Sequence, residues 1–100
     1  MNIRHHRADE LALTLYVPCL DSEHQKMVQN LREAIEQGPR APRAYSLDVI
    51  DVSVHPETAR EHAVYATPTL VRVSPGPERR IVGDLRKSHD ILAELVPPVD

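Results

Sequence analysis

The sequence predicts an α/β fold with a central mixed sheet and helices on both of its faces. Three observations lead to this prediction: a short apolar run near the start of the chain, an amphipathic helical pattern directly after it, and two β-prone runs that flank a turn rich in Pro and Gly. A short apolar run bounded by turn residues is typical of a buried strand. Apolar residues that recur every three to four positions indicate a helix instead. The predicted order of elements is β-α-β-α-β-β-α.

The first half of the chain predicts a β-α-β unit. Leu11–Val17 is a nearly continuous apolar run and predicts a buried central strand. The helix that follows begins with a capping-box pattern at Ser22, although Asp21 could be the cap instead, and Gly38 marks its end. Tyr45–Val52 then predicts a second strand, which lies parallel to the first because a helix connects the two.

The second half predicts a short helix, a hairpin and a final helix. The short helix spans His55–Tyr65, with a proline well placed near its start. Leu70–Ser74 and Arg79–Val82 predict two strands, and Pro75–Glu78 predicts the hairpin turn between them. Apolar residues in Ile91–Leu95 give the last helix one apolar face. Taken in order, the elements correspond to the thioredoxin-like arrangement.

Composition and charge restrict the class of protein. One hundred residues are enough for one domain, which we place at residues 11–100 after a polar tail at residues 1–10. A net charge of −3 with only three aromatic residues argues against nucleic-acid binding, and no apolar run approaches the roughly 20 residues of a membrane span. The single cysteine, Cys19, leaves no internal disulfide and predicts a reducing, cytoplasmic location.

A Thr-Pro dipeptide stands directly before the third strand. X-Pro bonds adopt the cis form at a cost of only about 0.5–1 kcal/mol. Thioredoxin-like domains keep a cis proline at this place, so we expect a cis bond between Thr67 and Pro68 with an architectural role.

Several segments together resemble one protein family. They are Leu15-Tyr16-Val17, Val49-Ile50-Asp51-Val52, Pro56, Ala66-Thr67-Pro68-Thr69-Leu70 and Arg79-Arg80-Ile81-Val82-Gly83-Asp84-Leu85. In this order and spacing they resemble the KaiB family of bacterial circadian clock proteins, over roughly Leu11 to Leu95. The sensor domain of the clock histidine kinase SasA is similar too.

The resemblance implies a function and a set of partners. It implies an adaptor without catalytic activity or cofactor that docks on KaiC, a ring ATPase with RecA-like domains, in a clock or in clock-derived stress signalling. It also implies KaiA-like and histidine-kinase partners and a homo-oligomer, either a dimer or a tetramer. Partner contacts are implied for Lys26, Arg79, Arg80 and Asp84, since these residues take matching positions.

The same resemblance implies a second fold, which family members adopt when free. Members that switch carry a glycine and an aspartate at the positions that Glu94 and Val96 take here. A residue other than glycine in a helix interior favours the helical form by about 0.5–1 kcal/mol. We therefore expect this chain to stay mainly in the thioredoxin-like form.

A different class of function centres on Cys19. Cys19-Leu20-Asp21-Ser22 is a C-x-x-S pattern between a strand and a helix, and a thiolate at a helix N-terminus is stabilised by the helix dipole. This pattern gives the alternative of a monothiol thioredoxin-like or glutaredoxin-like oxidoreductase, although no resolving cysteine exists. The six histidines form neither an H-x-x-x-H pattern nor a pattern with paired cysteines, so no metal site is expected from their spacing.

Overall fold

The structure is a computed structural model, and it describes residues 10–38, 41–83, 85 and 88–95. Its elements follow the predicted order: β1 (Glu10–Val17), α1 (Ser22–Gln37), β2 (Ala44–Asp51), α2 (Pro56–Glu61), β3 (Thr69–Ser74), β4 (Arg79–Val82) and α3 (Ser88–Leu95). Most of the predicted tail, together with Asp84 and Val96, lies outside the described residues. No helix in the described ranges is both long and apolar enough to cross a membrane.

The four strands form one mixed sheet in the order β2-β1-β3-β4. β1 and β2 are parallel, with Leu13 opposite Leu47, as the connection through a helix requires. β3 runs antiparallel to β1 and pairs with β4 across the hairpin, with Leu70 opposite Ile81. The register between β1 and β3 shifts at Ala12 and Leu13. The thioredoxin-like arrangement predicted from the sequence is confirmed.

The larger part of the core lies between the sheet and the pair α1 and α3. Alternate residues of β1 point to this face, because side chains along a strand alternate between the two sides of a sheet. The buried members are aliphatic throughout: Leu11, Leu13, Leu15, Val17, Leu31, Ala34, Ile35, Leu47, Leu70, Leu85, Ile91 and Leu95. In the absence of Phe and Trp from the sequence, the buried members of this cluster are aliphatic side chains.

Within the described residues, α2 is the helix that covers the opposite face of the sheet. Its buried cluster consists of Tyr16, Ala59, Val64 and Val71, with Ile50 and Val52 packed at its border. Because α2 has only six residues, part of this face stays open, and Val73 and Val82 are exposed there.

Asp21 precedes helix α1, and its carboxylate accepts a hydrogen bond from the His24 backbone N–H at 2.9 Å. Asp21 is therefore the N-cap, one of the two residues that the sequence offered for this role. The helix ends at Gly38 as predicted. The Thr67–Pro68 bond is cis, which confirms the prediction, and Ser74–Pro75 is also cis.

Helix α2 is shorter than predicted, because the expected extension to Tyr65 is wrong. Ala63 takes a left-handed conformation with φ 55° and ends the helix. The N–H of Ala63 bonds to the carbonyl of Arg60 and the N–H of Val64 to the carbonyl of Ala59, at 3.1 and 2.8 Å. These two bonds form a Schellman motif, with an apolar contact between Val64 and Ala59 beneath it.

Candidate functional site

One end of the sheet gathers the loops that carry most of the candidate residues. β1 and β2 are parallel, so their carboxyl ends meet at this end. β3 is antiparallel to β1 and begins at the same end, with Thr69 opposite Tyr16. Cys19, Thr67 and Pro68 consequently belong to one group of loops, as the thioredoxin-like prediction required. We call this end the loop end of the sheet.

Cys19 is half-buried and belongs to a polar cluster at the start of α1. Its Sγ donates to Oδ2 of Asp21 at 3.5 Å. The other carboxylate oxygen, Oδ1, lies 2.7 Å from Nδ1 of His24 and also caps the helix. The hydrogen bonds from His24, backbone first and ring second, hold the pKa of the Asp21 carboxyl below its ordinary value.

This cluster was not visible as a metal or catalytic motif in the sequence. Cys19, Asp21 and His24 follow the spacing C-x-D-x-x-H, which spans a loop and the first turn of a helix. The sequence feature that could have identified the cluster is the helix N-cap at Asp21. When Asp21 is the N-cap, the residue three positions later returns to the same side of the first turn. The direct hydrogen-bond partner of the thiol is thus a carboxylate, to which Sγ donates.

Asp51 fixes the turn that follows β2. Its carboxylate accepts hydrogen bonds from the hydroxyl and the backbone N–H of Ser53, the latter at 2.9 Å. Its backbone carbonyl accepts the N–H groups of Val54 and His55 at 3.1 and 2.9 Å. The hydrogen bonds to the carboxylate, that of the Ser53 hydroxyl foremost, hold the pKa of the Asp51 carboxyl below its ordinary value. Asp51 therefore orders the connection between β2 and α2.

Three large apolar side chains are exposed in the loops of this region. Leu20 follows β1, Val54 follows β2, and Tyr65 lies in the segment that leads into β3. Tyr65 is 85% exposed. Exposed aromatic and apolar side chains that cluster in loops are typical of surfaces that bind other proteins. The sequence indicated none of the three, and it predicts Tyr65 in particular within the helix, which in fact ends at Glu61.

The structure does not bring the predicted partner-binding residues together on one surface. Lys26 is exposed on α1. Arg79 and Arg80 are neighbours in β4 and point to opposite faces of the sheet, since strand side chains alternate. Asp84 lies outside the described residues. Within those residues, neither Lys26 nor Arg79 makes a side-chain hydrogen bond or ion pair.

Arg80, in contrast, is fully engaged with its own chain. Its Nε donates to Glu78 at 2.7 Å, and its two terminal nitrogens donate to the backbone carbonyls of Ala63 and His62. These carbonyls belong to the segment that ends α2. A cation at the C-terminal end of a helix stabilises that end. The guanidinium therefore fixes α2 to β4.

Comparisons with known proteins agree on one family. The chain matches the KaiB domain family over residues 14–95. Circadian clock oscillator protein KaiB from Prochlorococcus marinus (strain MIT 9303) is 39% identical over 83 residues, which cover 83% of this chain and 68% of that protein. KaiB1 from Synechocystis sp. (strain ATCC 27184) is 41% identical over 70 residues, which cover 70% of this chain and 62% of that protein.

Solved structures agree with this result. The N-terminal domain of Synechococcus elongatus SasA superimposes with a TM-score of 0.68 at 28% identity, covering 94% of this chain and 86% of that domain. Thioredoxin from Fasciola hepatica gives a TM-score of 0.62 at 18% identity over 87% of this chain and 82% of that protein, a likeness of fold alone.

Proposed function

Because the chain belongs to the KaiB family of circadian clock proteins, we propose that it is a non-catalytic adaptor that binds a KaiC-like, RecA-type ATPase ring. We place this function in residues 11–100 as a single cytoplasmic domain. KaiA-like and histidine-kinase partners belong to the same proposal, and so does self-association as a dimer or tetramer.

The observation that carries this proposal is the position of α3. Ile91 and Leu95 of α3 are buried in the main core beside α1. The C-terminal half is thus folded in the thioredoxin-like form that it shares with the SasA domain. The family resemblance assigns ring binding to this form. Glu94 lies within α3, where a glycine would weaken the helix by about 0.5–1 kcal/mol.

Two kinds of exposed side chain support a docking role. Arg79 presents a guanidinium that no described group of its own chain uses, and a planar guanidinium forms paired hydrogen bonds with a partner's carboxylate. Tyr65 offers a large aromatic side chain, a residue type that often contributes most of the binding energy of an interface. Lys26 and Asp84 complete the proposed set, whereas Arg80 acts indirectly by fixing α2.

The test is size-exclusion chromatography with light scattering on mixtures with the KaiC-like ATPase of the same cell, in ATP and in ADP. We expect a ring complex whose amount depends on the nucleotide. Arg79→Ala should weaken binding by about fivefold, or roughly 1 kcal/mol, and Tyr65→Ala by more than about tenfold.

Glu57→Ala is the matched control, because Glu57 is exposed in the first turn of α2 and has no part in the proposed contacts. It should leave affinity unchanged. The absence of a complex with either nucleotide would refute the adaptor function. A complex that all three variants weaken equally would refute the assigned residues while leaving the partner in place.

A further inference from the structure

The cluster at the start of α1 unites three different metal-ligand types. Cys19 contributes a sulfur, Asp21 a carboxylate oxygen and His24 a ring nitrogen, and these ligand atoms lie within 4.8 Å of one another. The adaptor function proposed above uses none of them. A thiolate, an imidazole and a carboxylate are together the donors found in tetrahedral zinc sites.

One distance between the donor atoms matches the edge of a coordination tetrahedron. With bonds of about 2.3 Å to sulfur and about 2.0–2.2 Å to nitrogen and oxygen, the edges of such a tetrahedron are about 3.4–3.6 Å. Sγ of Cys19 already lies 3.5 Å from Oδ2 of Asp21. Nδ1 of His24 is hydrogen-bonded to the other carboxylate oxygen, Oδ1, at 2.7 Å, and the three ligand atoms of the cluster all lie within 4.8 Å of one another. On coordination, the imidazole would exchange this hydrogen bond for a bond to the ion.

The two carboxylate oxygens of Asp21 make different contacts, one with the helix and one with the thiol. Oδ1 accepts the backbone N–H of His24 and so caps α1, while Oδ2 faces the sulfur of Cys19. Coordination through Oδ2 would leave the cap intact. The Asp21 side chain is about half exposed, so an ion can reach the cluster from solvent.

We propose that Sγ of Cys19, Oδ2 of Asp21 and Nδ1 of His24 form a three-ligand site for a divalent cation of the zinc class, with water as the fourth ligand. On binding, the thiol releases its proton to solvent, and the neutral imidazole carries its proton on Nε2 so that Nδ1 faces the ion. Three protein ligands and a water leave one exchangeable position. The site is independent of binding to an ATPase ring.

The test uses Co²⁺ alone as the probe, with the full chain under reducing, chelator-free conditions. His5 and His6 are replaced by Gln in the parent protein, because two histidines adjacent in the sequence can also bind transition metals. We expect one Co²⁺ per chain, a thiolate-to-cobalt charge-transfer absorption band, and displacement of the cobalt by Zn²⁺. Cys19→Ser should abolish the band.

Two further variants and a control locate the other ligands. Asp21→Asn preserves the N-cap, since Asn caps helices as well as Asp does. Asp21→Asn and His24→Gln, each as a single variant, should raise the Kd for Co²⁺ by at least about tenfold, because loss of even an outer partner of a metal site costs that much. His62→Gln is the control: His62 is exposed, lies at the end of α2, and its ring contacts the Thr58 carbonyl. It should bind as the parent does.

A second readout follows the thiol itself. Zn²⁺ should slow alkylation of Cys19 by iodoacetamide in the parent and in His62→Gln, but much less in His24→Gln. Circular dichroism confirms that each variant is folded. The proposal is overturned by the absence of Co²⁺ binding, by binding without a charge-transfer band, or by equal affinities in the parent and Cys19→Ser.

Discussion

The two faces of the sheet are built from the same strands but differ in what covers them. Toward α1 and α3, twelve aliphatic side chains of the described residues are buried in a continuous core, and Tyr45, Val49 and Ile81 pack partly buried against it. Toward the six-residue α2, only a small cluster is buried, and Val73 and Val82 remain exposed. The first face thus supplies most of the apolar burial that stabilises the fold. The second leaves side chains free for other contacts.

Polar groups follow the same division, as two arginines show. Arg72 is only 8% exposed and lies on the covered face, where its terminal nitrogens donate to the carbonyls of Leu95 at 2.9 Å and Pro77 at 2.8 Å. It therefore joins β3 to the C-terminal end of α3. Arg80 makes the corresponding connection to the end of α2 on the open face, but in contact with water. Both guanidinium groups thus donate to backbone carbonyls at the end of a helix, but that of Arg72 is buried and that of Arg80 is in contact with water.

The largest expected effect is a cavity in the covered face. Leu15 is fully buried in β1, so Leu15→Ala should lower the free energy of unfolding by about 2–5 kcal/mol. Val73→Ala is the matched control, because Val73 is 52% exposed on the open face; its effect should stay within about 0.5 kcal/mol. Urea denaturation followed by circular dichroism measures both. Similar losses would show that the two faces contribute equally.

A smaller difference is expected between the two arginines. Arg72→Met removes two charge-assisted hydrogen bonds and leaves the buried Leu95 carbonyl without this donor, so we expect a loss of about 1–3 kcal/mol. Nε of Arg72 has no hydrogen-bond partner within the described residues, and its removal offsets part of the loss. Arg80→Met should cost less than about 1 kcal/mol, because water screens an exposed cation.

Hydrogen exchange distinguishes the two effects by position. Arg72→Met should raise amide exchange in α3, and Arg80→Met should raise it in α2. If Arg72→Met leaves α3 protection unchanged, the guanidinium does not hold that helix against the sheet.

The sequence predicted the elements well where apolar periodicity and prolines determine them. The limits of β4, the end of α1 at Gly38 and the cis bond at Pro68 all depend on such local signals. The end of α2 could not be predicted, because Ala63 adopts a conformation that glycine or asparagine usually signals. There the tertiary contacts of Val64 decide the backbone.

The candidate site was less predictable than the fold, for a related reason. A strand places adjacent residues on opposite faces, so Arg79 and Arg80 look equivalent in the sequence and differ entirely in their contacts. The proximity of Cys19 to His24 depends on which residue caps α1, and the sequence offered both Asp21 and Ser22. The sequence identifies the candidate side chains. Which way they point depends on the assembled sheet for the arginines and on the helix cap for the cysteine and the histidine.

The smallest predicted effect has the opposite sign and lies on the open face. Ala63 holds φ 55°, a left-handed conformation that costs a residue with a Cβ roughly 1–2 kcal/mol. Ala63→Gly removes this cost but makes the unfolded chain more flexible, which takes back about 0.4–1 kcal/mol. We expect a net gain of about 0.5–1 kcal/mol, seen as a higher urea midpoint with an unchanged m value.

Ala66→Gly is the control, because Ala66 is exposed nearby and has no positive φ; it should be neutral or destabilising. A loss of stability in both variants would mean that the backbone at Ala63 is not strained. The stability of the open face would then depend on its small buried cluster and not on the end of α2.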